Sequence, residues 1–196
     1  MKHTALKIMH IGKALRAAAI AMVCGFGICG SYSATAFATA TFHVGDRWDW
    51  QLKGPADLDR DVEMLTLDPR LVTADQLQAL RAQGVDTVCH VNAGTIAETD
   101  PGFSDLPPAV IGSAHKTRPN ERYLDIRRVQ MVVPVITQQI VACKNQGFTA
   151  IEPDGLDAYA QDSNFPLTAA DTVHYATTLA HVAHGLGLRI AQKNIP

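Results

Sequence analysis

Two hydrophobic periods alternate along this chain, and that alternation limits the fold more than any other feature of the sequence. Short β-branched or aromatic runs at 47–52, 62–67, 85–91 and 188–192, and an apolar run that begins at Phe148, have the pattern of strands. Longer segments, in which apolar residues recur at the spacing of a helix, separate the later runs. The order is two strands, then helix, strand, helix, strand, helix, strand. It predicts an α/β fold with a parallel sheet and right-handed crossovers.

Local end signals support the three predicted helices. Thr73 with Gln76 and Thr168 with Asp171 have the spacing of a capping box, in which two side chains satisfy free amide groups at a helix start. Gly147 ends the middle helix. The apolar stripes predicted for the middle and last helices are Val129, Val133, Ile136, Ile140 and Cys143, and Tyr175, Leu179, Val182 and Leu186.

The segment from Asn92 to Glu121 interrupts the alternation. It holds four prolines and several glycines but little periodicity, and Tyr123–Arg127 then leads into the middle helix. We therefore predict a long loop without regular structure. Loops longer than about 12 to 15 residues are uncommon unless they serve as lids or binding loops, so this loop is a candidate rim of a site.

The first 38 residues have the composition of a secretory signal. Four basic residues and no acidic ones precede or flank an apolar run from Ala17 to Gly30, and small residues surround Ala36 and Ala38. We predict cleavage after Ala38, a single mature domain of residues 39–196, and a secreted or periplasmic location. The alternative is a membrane anchor, although the apolar run is short and glycine-rich for a membrane span.

The net charge of the chain limits which classes of molecule it is expected to bind. The whole chain has a formal net charge of −2, and loss of the signal removes four basic residues, so the mature domain is acidic. Acidity disfavours nucleic acid and anionic membranes, and mildly favours a cationic or neutral ligand. We expect no stable membrane association after the signal is cleaved.

Two of the four cysteines leave with the signal, and Cys89 and Cys143 remain. In an exported chain two cysteines predict one disulfide, and the alternative is a pair of buried free thiols. The cysteines and histidines have no spacing typical of a metal site, and there is no phosphate-binding loop. We therefore predict that the protein has no metal ion and no cofactor.

Three carboxylates, Glu152, Asp154 and Asp157, directly follow the apolar run at Phe148. Carboxylates are expensive to desolvate unless they are paired, so a cluster at the end of a core strand marks either a site or a salt-bridge node. A strand, an acidic turn and a helix are how a barrel enzyme presents catalytic groups. Earlier in the chain, Trp48 and Trp50 either stack on sugar rings or pack in the core, and we expect one of them in the core.

Several short motifs occur together in a specific order and spacing. They are Trp48–Leu52, Cys89 with Asn92-Ala93-Gly94, Glu121–Arg127, Gly147-Phe148, Glu152-Pro153-Asp154, Asp157 with Tyr159, Phe165–Asp171 and Lys193-Asn194. In these motifs the chain from about Trp48 to Asn194 resembles glycoside hydrolase family 114, the endo-α-1,4-polygalactosaminidase type.

That resemblance implies a (β/α)8 TIM-barrel fold, here incomplete, with about the first five strands of the barrel. It also implies hydrolysis of galactosamine-containing polysaccharide, a substrate that is cationic where its amino groups are free. Asp154 aligns with one catalytic carboxylate and Glu152 lies beside it, whereas the family's second carboxylate belongs to a later strand that has no counterpart here. The substrate-binding residues implied by the resemblance and by their position at strand ends are Trp50, Asp68, Asn92, Asp125, Asp157, Tyr159, Lys193 and Asn194.

Glu152 and Asp154 are two residues apart on one predicted strand, so both point to the same face. Glycoside hydrolysis needs two carboxyl groups on either side of the scissile bond, which neighbours on one strand do not provide. We therefore predict that the partner of Asp154 lies outside this sequence. The alternative function is a truncated, catalytically inactive relative that binds polysaccharide at most weakly. His90, where the family has tyrosine, is either a hydrogen-bond donor or a buried filler.

Overall fold

The computed structural model describes residues 42–194. The predicted signal, residues 1–38, lies outside the described residues. Within 42–194 no helix is both long and apolar enough to cross a membrane. In chain order the elements are β1 (Trp48–Gln51), β2 (Met64–Leu67), α1 (Ala74–Ala82), β3 (Asp86–Asn92), β4 (Thr95–Ala97), β5 (Ile111–Ala114), β6 (Glu121–Leu124), α2 (Val129–Gln146), β7 (Ala150–Asp154), α3 (Ala169–Gly185) and β8 (Arg189–Ile190).

Five of the strands form one sheet in the order β1-β2-β3-β7-β8, and every neighbouring pair is parallel. α1 and α2 contact β3, while α3 contacts β7 and β8. The predicted parallel sheet of five strands, with three helices in the crossovers, is confirmed. A parallel sheet brings the carboxyl ends of its strands to one edge, and that edge carries the candidate site.

The predicted helix ends are also confirmed. Thr73 and Gln76 form a complete capping box at α1, as do Thr168 and Asp171 at α3, and Gly147 ends α2 with a φ of 113°. The buried stripes differ slightly from the prediction, because Val132 and Val135 replace Val129 and Val133 in α2, and Thr172 and Ala183 replace Val182 and Leu186 in α3. The buried residues are Val132, Val135, Ile136, Ile140 and Cys143 in α2, and Thr172, Tyr175, Leu179 and Ala183 in α3.

The prediction of a structureless loop between Asn92 and Glu121 is wrong. β4, β6 and β5 form a small antiparallel sheet in that order, and residues 121–124 are a strand before the chain enters α2. Strands of three or four residues are too short to display a period in the sequence. The four prolines lie in the turns and short 3₁₀ segments between these strands, where they made the whole segment look irregular.

The two faces of the large sheet have different environments. Side chains such as Leu65, Cys89 and Ile151 lie in the main core with the helices, and the predicted disulfide is present and joins Cys89 of β3 to Cys143 of α2. The other face carries the tryptophans of β1. Trp48 is 61% exposed and Trp50 is 43% exposed, so the expectation that one of them packs in the core is wrong. That face carries no helix in the described range, which is why an aromatic pattern typical of a half-buried strand leaves both rings accessible.

Candidate active site

The candidate site lies where β3 and β7 end, beside the segment that follows β8. The register of β3 and β7 places His90 next to Glu152 and Asn92 next to Asp154, with all four positions on one face of the sheet. The Ala191 amide donates to the Ile151 carbonyl (2.8 Å), so the chain continues alongside β7 after β8 ends. This continuation brings residues 193 and 194 to the acidic turn.

Asp154 is the most extensively contacted side chain of the site. One carboxylate oxygen, Oδ2, lies 3.1 Å from His90 Nε2 and 3.4 Å from Lys193 Nζ. The other, Oδ1, accepts from the Gly155 amide (2.8 Å) and from the Asn194 side-chain amide (3.4 Å). An ionised carboxylate only accepts hydrogen bonds, so Nε2 of His90 carries a hydrogen and donates the hydrogen bond to Asp154. The side chain is only 13% exposed, so these four partners replace most of its water.

The environment keeps Asp154 ionised. Burial raises the pKa of its carboxyl group, but the hydrogen bonds from His90 and Gly155 and the charge of Lys193 together hold that pKa well below its usual range. A carboxyl group that serves as a general acid in glycoside hydrolysis needs a raised pKa, whereas a nucleophile or general base must be ionised. The geometry therefore suits Asp154 to the nucleophile or base role and not to the acid role.

Glu152 has fewer partners. Its Oε2 accepts a long hydrogen bond from Thr66 Oγ1 (3.4 Å), and its Oε1 lies 3.5 Å from Lys193 Nζ. Oε1 is buried and makes no hydrogen bond within the described residues, so the ion pair with Lys193 is its main compensation.

Lys193 lies between the two carboxylates. Its ammonium group is within 3.5 Å of both Glu152 and Asp154, and it lies 3.6 Å from the ring centroid of Trp50, a cation–π distance. Because this one cation fills the space between the carboxylates, a glycosidic bond cannot lie between them in this arrangement. Glu152 and Asp154 form one charged cluster instead of the two opposed groups that hydrolysis requires.

Backbone contacts fix the turn that carries Asp154. The Ala93 and Gly94 amides both donate to the Asp154 carbonyl oxygen (3.0 and 2.9 Å). A Cβ atom on Gly94 would lie 1.9 Å from the Gly155 carbonyl oxygen, so only glycine lets the chain after β3 press this closely on the turn. The buried Tyr175 hydroxyl donates to the Ala93 carbonyl (2.9 Å) and ties α3 to the same point.

Of the other predicted substrate-binding residues, Trp50 and Asn194 join the group around Asp154, while Asp68 and Asn92 line a cavity next to it. That cavity has a volume of about 310 Å³ and lies between the ends of β2 and β3 and the helix α2, with His90 in its wall. Asp68 is paired with Arg70 through both carboxylate oxygens (2.6 to 3.2 Å). Asn92 has its predicted position at the strand end.

Asp125, Asp157 and Tyr159 are not brought to Asp154 by any hydrogen bond or ion pair in the part of the chain that the structure describes. Both oxygens of Asp125 are engaged by Arg127 (2.7 and 2.8 Å), and Asp157 accepts from Gln161 (3.1 Å). Tyr159 packs at the edge of the core. Their roles in substrate binding stay predictions.

The sequence interpretation missed Thr66 and left His90 open between two roles. Thr66 pairs in register with Trp50 on β1, and the same parallel register continues from β2 to β3 and β7. Counting every second residue across the aligned strands would have placed Thr66 on the face of Glu152. His90 is a hydrogen-bonding partner of Asp154. Within residues 42–194, no group of three or more His, Cys, Asp or Glu side chains is arranged to hold a metal ion.

The sequence model of glycoside-hydrolase family GH114 matches residues 30–196, and the chain therefore belongs to that family. Among solved structures it is similar to Aspergillus fumigatus Ega3 in complex with galactosamine, with 23% identity, a TM-score of 0.72, and coverage of 80% of this chain and 63% of that one. It is also similar to the glycoside hydrolase domain of PelA from Pseudomonas aeruginosa, with 13% identity, a TM-score of 0.57, and coverage of 76% and 61%. No curated protein sequence matches the chain.

These likenesses confirm the fold that the resemblance implied. The chain is an α/β protein of the (β/α)8 TIM-barrel type, and its five parallel strands with their helices form part of that fold. It spans 63% of the length of the Ega3 chain and 61% of the PelA domain.

Proposed function

We propose that this member of glycoside-hydrolase family GH114 is an exported, endo-acting hydrolase that cleaves galactosamine-containing polysaccharide. One observation carries the proposal: a buried carboxylate, Asp154, is held ionised by His90, Gly155 and Lys193 at the carboxyl edge of a parallel sheet. That edge is where TIM-barrel enzymes carry their catalytic groups. Family membership supplies the reaction class.

In this proposal Asp154 acts as the nucleophile or general base at the sugar's anomeric carbon. The opposite carboxyl group protonates the leaving oxygen, and it must stand across the scissile bond from Asp154. Glu152 cannot take that place because it lies on the same strand and shares Lys193 with Asp154. We assign the acid to a carboxyl group that is not among residues 42–194.

The surroundings of Asp154 fit an amino sugar. The Trp50 side chain is 43% exposed and offers a stacking surface, and the Lys193 ammonium on its ring is paired with two carboxylates. Asp68 and Asn92 line the adjoining cavity, and Ega3, which has the same fold, was solved with galactosamine. The proposed substrate-binding residues are Trp50, Asp68, Asn92, Asp125, Asp157, Tyr159, Lys193 and Asn194.

A second candidate function is polysaccharide binding without cleavage. The position of Lys193 favours it, because the ammonium group fills the space between Glu152 and Asp154. Such a protein would retain the Trp50 surface and the charge, and would lack the opposed pair that hydrolysis requires.

Mass spectrometry of a galactosamine oligosaccharide incubated with the whole protein, purified from its native source, separates the two candidates. The hydrolase should yield shorter internal fragments, since an endo-acting enzyme cuts within the chain. Unchanged oligosaccharide together with saturable binding in calorimetry would contradict hydrolysis and support the binding function. Neither cleavage nor binding would exclude both.

Export is proposed from the signal-like composition of residues 1–38, and the Cys89–Cys143 disulfide supports an oxidising compartment. The protein recovered from the medium or the periplasm should have an amino terminus at Thr39, as determined by amino-terminal sequencing. Recovery from the cytoplasm alone, with Met1 retained, would contradict export.

A further inference from the structure

Lys193 contacts three other side chains of the site at once. Its Nζ atom lies 3.4 Å from Asp154, 3.5 Å from Glu152 and 3.6 Å from the centre of the Trp50 ring. The side chain is 19% exposed, although lysine is ordinarily found in water. A long, flexible side chain loses conformational freedom when it is held in this way, so its position depends on all three partners.

Each partner depends on Lys193 in turn. Within residues 42–194, Glu152 has only the long hydrogen bond from Thr66 besides this ion pair. The exposed Trp50 ring has one other ring contact in the described range, an edge contact with His90 at 6.3 Å. Without a cation between them, Glu152 and Asp154 would face each other as two buried like charges, which is unfavourable.

We propose that Lys193 is the positioning residue of this site: its ammonium sets the separation of the Glu152 and Asp154 carboxylates and holds the Trp50 ring as the wall against which a sugar stacks. A role of Lys193 in catalysis rests on the proposed hydrolase function. The arrangement itself is testable without any catalysis.

The position of Lys193 has a local cause. β8 is only two residues long, and the chain runs on beside β7 as an extended segment, so residue 193 arrives level with Asp154. Asn194 then turns back with a φ of 53°, in the left-handed region, and its side-chain amide reaches Asp154 Oδ1. Lys193 and Asn194 thus approach Asp154 from the strand neighbouring β7 on one side, and His90 of β3 approaches it from the other.

The titratable and charged groups that face Asp154 decide how its pKa responds to loss of Lys193. They are His90 from β3, Glu152 on β7 itself and Lys193 after β8, with the uncharged donors Gly155 and Asn194 completing the shell. Removing the lysine charge takes away a cationic partner of Asp154 and leaves the repulsion from Glu152 unbalanced. The Asp154 pKa should therefore rise, by about one to three pH units for the loss of a close opposite charge.

The test compares Lys193→Met and Lys193→Arg with Lys144→Met, a matched change of an exposed lysine on α2. The first readout is the pKa of Asp154 from carboxyl-carbon NMR titration, and the second is tryptophan emission, which comes from Trp48 and Trp50 alone. We expect Lys193→Met to raise the pKa and change the emission, and Lys144→Met to change neither. Lys193→Arg should restore both in large part, because arginine keeps the charge and stacks on aromatic rings.

An unchanged Asp154 pKa and unchanged emission in folded Lys193→Met would overturn the proposal. Tighter oligosaccharide binding by Lys193→Met would also overturn it, because it would mean that the ammonium competes with the sugar instead of preparing the site. If the two spectroscopic effects appear but no variant cleaves polysaccharide, the positioning role stands and the proposed hydrolase function fails.

Discussion

Asp154→Asn is expected to lower the rate of polysaccharide cleavage by about 10²- to 10⁴-fold, the range found when a group that transfers a proton or attacks the substrate is removed. The substitution keeps the shape of the side chain and leaves an oxygen to accept from the Gly155 amide. It removes the negative charge that His90 and Lys193 hold in place. The measurement is the initial rate of reducing-end release from galactosamine polymer.

Two further variants make this result interpretable. Glu152→Gln should lose less activity, since Glu152 is assigned no bond-making role. Asp59→Asn alters an exposed carboxylate far from the acidic turn in sequence and should leave the rate unchanged. Thermal unfolding shows whether Asp154→Asn is folded; a folded Asp154→Asn variant with wild-type activity would remove Asp154 from the mechanism.

Loss of the disulfide is expected to have the largest effect on stability. Cys89 and Cys143 are 54 residues apart, and closing a loop of that length restricts the unfolded chain enough to stabilise the native state by about 4 kcal/mol. The bond also ties β3 to α2 one residue before His90. We expect Cys89→Ala/Cys143→Ala to lower the free energy of unfolding by about that amount in urea titrations.

A reagent that titrates thiols under denaturing, non-reducing conditions provides the control for the disulfide. The exported protein should show no reactive thiol before reduction and two afterwards. Two free thiols in the unreduced protein, or a double variant as stable as the wild type, would contradict the stabilising role of this bond.

Features with local causes were predictable from the sequence. The capping boxes at Thr73 and Thr168 and the stop at Gly147 involve residues within a single turn, so their spacing alone identifies them. The order of strands and helices in the large sheet followed from periods several residues long. Between Asn92 and Glu121 the strands are too short to carry a period, and their pairing with one another is set by tertiary contacts.

The residues of the candidate site also fall into those that a local sequence pattern identifies and those that only tertiary contacts place. Asp154 and Glu152 were recognisable because carboxylates directly follow an apolar run, and the family motifs pointed to Lys193 and Asn194. The contact of Lys193 with Trp50 joins residues 143 positions apart in sequence, one on β1 and the other in the segment that follows β8, and no local pattern encodes it. The ring positions of Trp48 and Trp50 also depended on which face the helices cover, a property that strand alternation alone does not specify.

The hydrolase assignment is tested most directly by the rate at which the whole protein, purified from its native source, releases reducing ends from de-N-acetylated α-1,4-galactosamine polymer, with the Asp154→Asn variant as the blank. Asp154-dependent release above that blank is the predicted result. No release by the whole protein, folded, disulfide-bonded and still able to bind the polymer, would contradict the hydrolase assignment and leave polysaccharide binding as the function.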